Sequence, residues 1–187
     1  MKIILEFYHE KDLNDCQFLL NQEINSGWSY PFDQEMTADE FKAYFLAGDT
    51  FVIRSYGNSK LSNKILATFY IKPNFPGHCS HICNGGFLVA PEYRGKGLGI
   101  FMGRVFPYLA RDLGYKASLF NLVFDVNQPS TSLWRKLGYQ EIGRIPRAYI
   151  DSAGKCSDAN QFYLNFDTLP PHDSFSCYQN PPSQNQE

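Results

Sequence analysis

The apolar positions of this chain switch repeatedly between a two-residue and a three-to-four-residue period. Ile3 to Tyr8 alternates as a strand, and Leu13, Phe18, Leu19, Leu20 and Ile24 then mark the apolar face of a helix that Asp12 or Asn14 can cap and Gly27 ends. A second helix starts at Thr37, where Glu40 completes a capping box. Phe51 to Tyr56 and Ile65 to Lys72 read as two strands joined through Gly57-Asn58-Ser59. The apolar run Gly86 to Ala90 is a further strand. It stops at Pro91, which cannot donate to a sheet ladder, and a helix follows with Leu98, Phe101, Met102, Val105 and Leu109 facing a core. Pro107 should kink that helix, with the bare Gly103 four residues earlier easing the packing, and Gly114 ends it. Ala117 to Phe124 is the next strand, a helix begins near Pro129, and strands at about Gln140 to Ile150 and Gln161 to Phe166 flank a polar loop around Gly154. The result is an α/β (α+β) chain in which strand, turn and helix alternate.

Composition narrows the class. With 187 residues, 43% of them hydrophobic and 19% charged, residues 1–167 are long enough for one domain with a sizeable core. From 168 to 187 the Pro-, Asn-, Gln- and Ser-rich segment is expected to be a mobile tail. A net charge of −2 supplies no field to gather nucleic acid, and no segment reaches membrane-spanning length. The apolar run at the start is too short for a signal peptide, and five cysteines at irregular spacings make no disulfide framework, so the expected compartment is the cytoplasm.

The chemistry concentrates at Arg94-Gly95-Lys96-Gly97-Leu98-Gly99. Glycines at every second position remove side chains where the first turn of a helix has unpaired N–H groups, and the helix dipole with Arg94 and Lys96 adds positive charge: a seat for a pyrophosphate. The spacing excludes two other phosphate loops. Gly97 follows Lys96 where a Walker loop needs Ser or Thr, and Ile100 stands where the dinucleotide pattern needs its third glycine. Three other features carry a question. Asn84-Gly85-Gly86 and Asn121 put amides and glycines inside apolar strands, which calls for a bulge, a close approach or a hydrogen-bonding partner. His78-Cys79-Ser80-His81-Ile82-Cys83 groups potential ligands, with Cys79, His81 and Cys83 on one face if the segment is a strand, but no second pair has zinc spacing and no metal is expected. The aromatics Trp28, Tyr30 and Phe32 either lid the core or border a site.

Written as Val89-x-Pro91-x-x-Arg94-Gly95-x-Gly97-x-Gly99, the glycine segment resembles the acetyl-coenzyme A loop of the GCN5-related N-acetyltransferase superfamily. Asn127-x-x-Ser130-x-x-Leu133-Trp134-x-Lys136-Leu137-Gly138-Tyr139 is similar to that superfamily's second signature. The resemblance implies a mixed, mostly antiparallel sheet of about six or seven strands, splayed at strands 4 and 5 and flanked by about four helices. It implies acetyl-CoA as cosubstrate, held by main-chain groups of Leu88 and Val89, by Arg94, Gly95, Lys96, Gly97, Leu98 and Gly99, and by Asn127 and Trp134. Trp134 occupies the place of a tyrosine that in the family often protonates the departing thiolate, and an indole N–H is no acid at neutral pH.

Asn84-Gly85-Gly86-Phe87-Leu88-Val89 with Phe120-Asn121-Leu122-Val123-Phe124-Asp125-x-Asn127 is similar, more narrowly, to the fungal L-azetidine-2-carboxylate acetyltransferases. That resemblance implies a small amino-acid-like acceptor whose carboxylate is held by Asn84 and Asn121, and a homodimer. The general base is unassigned, with His81 and Asp125 as candidates. The alternatives are a lysine, polyamine or peptide N-terminal acetyltransferase and a module that binds acetyl-CoA without turnover.

Overall fold

The computed structural model describes residues 3–56 and 63–171. One seven-stranded sheet runs in the order β1-β2-β3-β4-β5-β7-β6. Its strands are β1 (Ile3–Phe7), β2 (Asp49–Ser55), β3 (Ile65–Pro73), β4 (Ile82–Val89), β5 (Ala117–Phe124), β6 (Gln140–Ile150) and β7 (Cys156–Asn165). Every neighbouring pair is antiparallel except β4 and β5. The helices are α1 (Leu13–Ser26), α2 (Ala38–Phe45), α3 (Leu98–Asp112) and α4 (Gln128–Lys136).

Two adjacent glycines of β4 show how the layers stack. Successive residues of a strand face opposite sides of a sheet. A Cβ on Gly85 would meet the Phe106 ring of α3 at 2.5 Å, and one on Gly86 would meet Tyr70 at 2.5 Å and the Tyr30 hydroxyl at 2.7 Å. Thus α3 covers one face and the segment after α1 covers the other, and both press on the strand too closely for a side chain. The glycines mark close approach and not a bulge, since the β3–β4 register runs unshifted from Ala67↔Val89 to Pro73↔Cys83. Of the two strands that bear the site, β5 is the one whose register shifts, between Phe120 and Val123.

On the α3 face, Phe87 packs 5.1 Å from Phe106 and 4.9 Å from Trp134, and Phe120 lies 4.4 Å from Trp134, centroid to centroid. Truncating the fully buried Phe106 to Ala would cost about 3–5 kcal/mol. Gly103 serves this packing: a Cβ there would stand 2.4 Å from Leu137 and 3.2 Å from Trp134, so its missing side chain admits α4 and does not merely relieve Pro107. α3 itself runs on through Pro107 to Asp112.

Two further expectations change. Phe18 is 62% exposed, and the buried stripe of α1 is Cys16, Leu19, Leu20 and Ile24. Asp12 precedes α1 without a side-chain cap; it receives the His9 N–H at 3.0 Å and pairs with Arg54, which also binds Glu6. Asp12 is 2% exposed, so removing Arg54 would strand its charge, at about 3–5 kcal/mol. The Thr37 capping box forms as read, Glu40 N–H donating to Thr37 Oγ1 at 3.3 Å. Gly57-Asn58-Ser59 lies outside the described residues, as does the chain beyond 171. The expected tail boundary at 168 falls inside attached chain: Leu169 packs against the core, and Pro170 accepts from Arg111 Nη1 at 3.5 Å.

Candidate active site

β4 is laddered differently on its two sides. Toward β3 it pairs over its whole length, whereas toward β5 the register holds only Ile82↔Ala117 and Cys83↔Ser118. Ala90 N–H bonds Leu66 C=O and Asn74 N–H bonds Ile82 C=O, so the even-numbered residues of β4 serve β3. The main-chain groups of Gly85, Phe87 and Val89 consequently face the gap where β5 has parted. Leu88, named from the sequence, faces β3 through Thr68↔Leu88 and buries its side chain; Phe87 and Val89 line the gap instead.

The gap opens into a cavity of about 820 Å³ that reaches from the glycine loop to the aromatics after α1. At one end Gly95 and Gly97 take φ of 71° and 86°, left-handed values that favour glycine, and Gly97 precedes α3. The first α3 bond is Phe101 N–H to Gly97 C=O at 3.0 Å, which leaves the N–H groups of Leu98, Gly99 and Ile100 without helical partners. Nothing lies within 4 Å of a Cβ built on Gly95 or Gly97, so this helix mouth is open to a ligand. Gly99 is ordinary by comparison, its Cβ site 3.7 Å from Leu133. Arg94 reaches back to Val89 C=O with Nε (3.3 Å) and across to Glu23 of α1 with Nη2 (2.7 Å). Lys96 stands 4.9 Å over the Tyr93 ring at the rim, and Leu98 puts its side chain into the core.

Across the gap, Asn127 caps α4: its Oδ1 receives Ser130 N–H at 3.1 Å, and its Nδ2 donates to Ser29 Oγ, also at 3.1 Å. Trp134 is buried and donates its indole N–H to Ser130 Oγ at 2.9 Å, which keeps it within the wall. At the far end both strand asparagines line the cavity. Asn84 Oδ1 accepts Gly85 N–H at 2.8 Å. Asn121, at the β5 register shift, has a partner the sequence did not name: Asn74 gives an N–H to its Oδ1 at 2.7 Å and takes one from its Nδ2 at 2.5 Å.

Residues 18–139, which carry the glycine loop, the open start of α3 and the parted strands β4 and β5, match the family model "Acetyltransferase (GNAT) family". The chain belongs to the GNAT acetyltransferase family. It is 38% identical over 151 residues to N-acetyltransferase aca1 of Schizosaccharomyces pombe, covering 74% of this chain and 72% of that one. It is 34% identical over 85 residues to Protein SPT10 of Saccharomyces cerevisiae, 46% of this chain but 13% of that protein. Among solved structures, a GCN5-related N-acetyltransferase from Kribbella flavida superposes with a TM-score of 0.79 at 21% identity, over 87% of this chain and 97% of that one. The Salmonella typhimurium acetyltransferase yncA, solved with its cofactor acetyl-CoA, gives 0.77 at 16% identity, over 90% and 96%. These structural likenesses establish a shared fold.

The GNAT chain does not bring the two candidate bases to the cavity. His81 is exposed, its Nδ1 3.1 Å from His78 C=O, because Gly77–Cys79 is a 3-10 turn and only Ile82 begins β4. Cys83 is buried in β4, so the Cys79, His81, Cys83 face expected of a strand does not form; no group of three potential metal ligands occurs among the described residues. Asp125 is held by Arg144 Nη2 and Asn160 Nδ2, each at 2.5 Å, outside the cavity lining. The carboxylate that does line it is Glu23, which also accepts Ser29 Oγ at 3.2 Å. Glu23, Asn74, Tyr44 and Tyr70 were missed because a polar helix face, a loop asparagine and strand tyrosines carry no local mark of a site. Lys72, opposite Asn84 across the β3–β4 ladder, donates to Tyr44 C=O at 2.6 Å and lies 3.9 Å over the Tyr44 ring and 4.4 Å over that of Tyr70. Burial pushes its ammonium down to about 8.

Proposed function

We propose that this acetyltransferase moves the acetyl group of acetyl-CoA directly to the amine of a small carboxylate-bearing acceptor, of the class of L-azetidine-2-carboxylate and proline-related metabolites. Acetyl-CoA supplies the acyl group as an activated thioester, whose C–S bond breaks as the C–N bond to the amine forms. Coenzyme A leaves as a thiolate, a tolerable leaving group because thiols have a pKa of about 8.5. The open helix mouth fits a diphosphate: Gly95, Gly97 and Gly99 let the N–H groups of Leu98, Gly99 and Ile100 approach it, with the charges of Arg94 and Lys96 beside them. The main-chain groups of Phe87 and the N–H of Val89, turned to the gap, are suited to the amide-bearing arm, with Asn127 opposite. A β4 N–H directed into the gap provides a preorganised donor for the carbonyl oxygen as it gains charge. Water or an acceptor-side group takes the amine's proton, since neither His81 nor Asp125 lines the cavity.

The observation that carries the acceptor class is the presence of Asn84 and Asn121 on the two parted strands, within one cavity. Their Oδ1 atoms are already engaged, by Gly85 N–H and by Asn74, so Asn84 still offers its amide N–H groups and Asn121, whose Nδ2 gives one N–H to Asn74, offers the other. Neutral donors receive a carboxylate without burying an unpaired cation in the empty site.

The test measures thiol release from acetyl-CoA with azetidine-2-carboxylate, its carboxamide, lysine peptides and polyamines. A kcat/KM for the free acids well above those for the carboxamide, lysine peptides and polyamines supports the reading, and equal use of acid and carboxamide overturns it. Asn121→Ala should raise the acceptor KM about tenfold, the worth of one hydrogen bond to a charged group, with the acetyl-CoA KM unchanged.

A further inference from the structure

Tyr30 carries a hydroxyl for which the fold has no use. It lies between α1 and α2, is 8% exposed, and its Oη makes no hydrogen bond among the described residues. The neighbouring phenols of Tyr44 and Tyr70, by contrast, hold each other at 3.2 Å. A buried hydroxyl left unpaired costs stability, and phenylalanine would place the same ring without that cost. Packing therefore explains the ring of Tyr30 and not its oxygen.

The position of that oxygen says what it is for. Tyr30 lines the cavity, and its Oη lies 2.7 Å from the place a Cβ would take on Gly86. Asn84 leaves the same face of β4 one pleat away, a rise of about 7 Å along the strand. Between Gly86 and Asn84 stands Gly85, whose N–H is held by Asn84 Oδ1. The free hydrogen-bonding capacity at this end is thus weighted to donors: the amide N–H groups of Asn84 and Asn121, and a phenol that burial holds well above its ordinary pKa and so keeps protonated.

We infer that Tyr30 Oη donates a hydrogen bond to the acceptor's carboxylate, the third neutral donor beside Asn84 and Asn121. This rests on the carboxylate reading above and adds a residue to it. Three neutral donors bind one small anion tightly only when all are aligned, which makes the segment after α1 a determinant of acceptor choice and not only a lid.

Steady-state kinetics of Tyr30→Phe with azetidine-2-carboxylate and its carboxamide test the assignment, together with acetyl-CoA titration and thermal melting of the same protein. The KM for the free acid should rise about tenfold with kcat little changed. The KM for the carboxamide and the affinity for acetyl-CoA should not move, and Tm should be equal or higher. An unchanged acid KM overturns the assignment, as does a lower Tm, which would show a structural partner for the hydroxyl. A fall in kcat for both acceptors at constant KM also overturns it, placing the hydroxyl at the reacting atoms. The two readings fail differently: a wild-type enzyme indifferent to the carboxylate removes both, whereas a wild-type preference for the acid that survives intact in Tyr30→Phe removes only this one.

Discussion

The two edges of β4 share a backbone and differ in everything built on it. Toward β3 the strand is zipped from Val89 to Cys83, and across that edge the side chains pair as in any sheet interior, Phe87 over Phe69 at 5.7 Å. Toward β5 it is zipped for two residue pairs and then open, and Asn84, Phe87, Val89, Arg94, Asn121 and Asn127 border the opening. Hydrogen bonds withheld from a ladder are available to a ligand, but a central strand can leave them unpaired only if other contacts hold it in place. Here the closed edge supplies part of that hold, and the Phe106 and Trp134 rings, each tilted against Phe87, add to it. The difference teaches that the site is a deliberate interruption of one ladder beside an uninterrupted one.

The strongest way to break the contrast is to damage the open edge alone. Gly97→Val puts a β-branched residue at φ 86° where the helix mouth must stay bare. The acetyl-CoA KM should rise about 100-fold, the worth of one or two charge-assisted hydrogen bonds, while melting shows a smaller loss. A substitution that strikes both edges comes next. Gly86→Ala would drive a methyl into Tyr70 and the Tyr30 hydroxyl, at 2.5 and 2.7 Å. It should cost about 1–3 kcal/mol, each kcal/mol lowering Tm by roughly 2–4 °C, and acceptor KM should rise alongside. An intact Tm with normal acceptor KM would show that the two tyrosines yield easily and do not define the site.

The smallest effect belongs to the closed edge. Lys72 is charged at neutral pH although burial has brought its pKa from 10.5 to about 8. Below about 8 both folded and unfolded chains hold the proton and the folded state bears the burial cost. As pH rises from about 8 to about 10.5 the folded state releases the proton first, so this group's contribution to stability improves with pH. Lys72→Met should flatten that upward slope in Tm across the same window, with little change in acetyl-CoA binding.

How much of this was legible depended on the distance along the chain over which each feature is decided. The conformation of the glycine loop was readable because left-handed glycines and the unpaired N–H groups of a helix start are set within a few residues, and Gly95 and Gly97 adopt those conformations. The Thr37 capping box was readable for the same reason. Asn84 and Asn121 stood out as amides in apolar runs, yet the same residues gave no hint that Asn121 would pair with Asn74, 47 positions away. Arg94 with Glu23 spans 71 positions and Asn127 with Ser29 spans 98. Such partners are chosen by which surfaces the fold brings together, and many polar residues in the chain were locally equivalent to Glu23 or Ser29.

By itself, then, the amino-acid order determined the alternation of strands and helices, the bare helix mouth and the two amides that had to find partners, because backbone conformation and burial preference act over a turn or a pleat. Only the tertiary structure decided that the glycines of β4 answer to Phe106 on one face and to Tyr70 and Tyr30 on the other. It also turned His81 and Asp125 away from the cavity and left the Tyr30 hydroxyl buried within it without a partner among the described residues. Those outcomes depend on packing between segments far apart in the chain, where shape and desolvation select among contacts that local preference leaves equal.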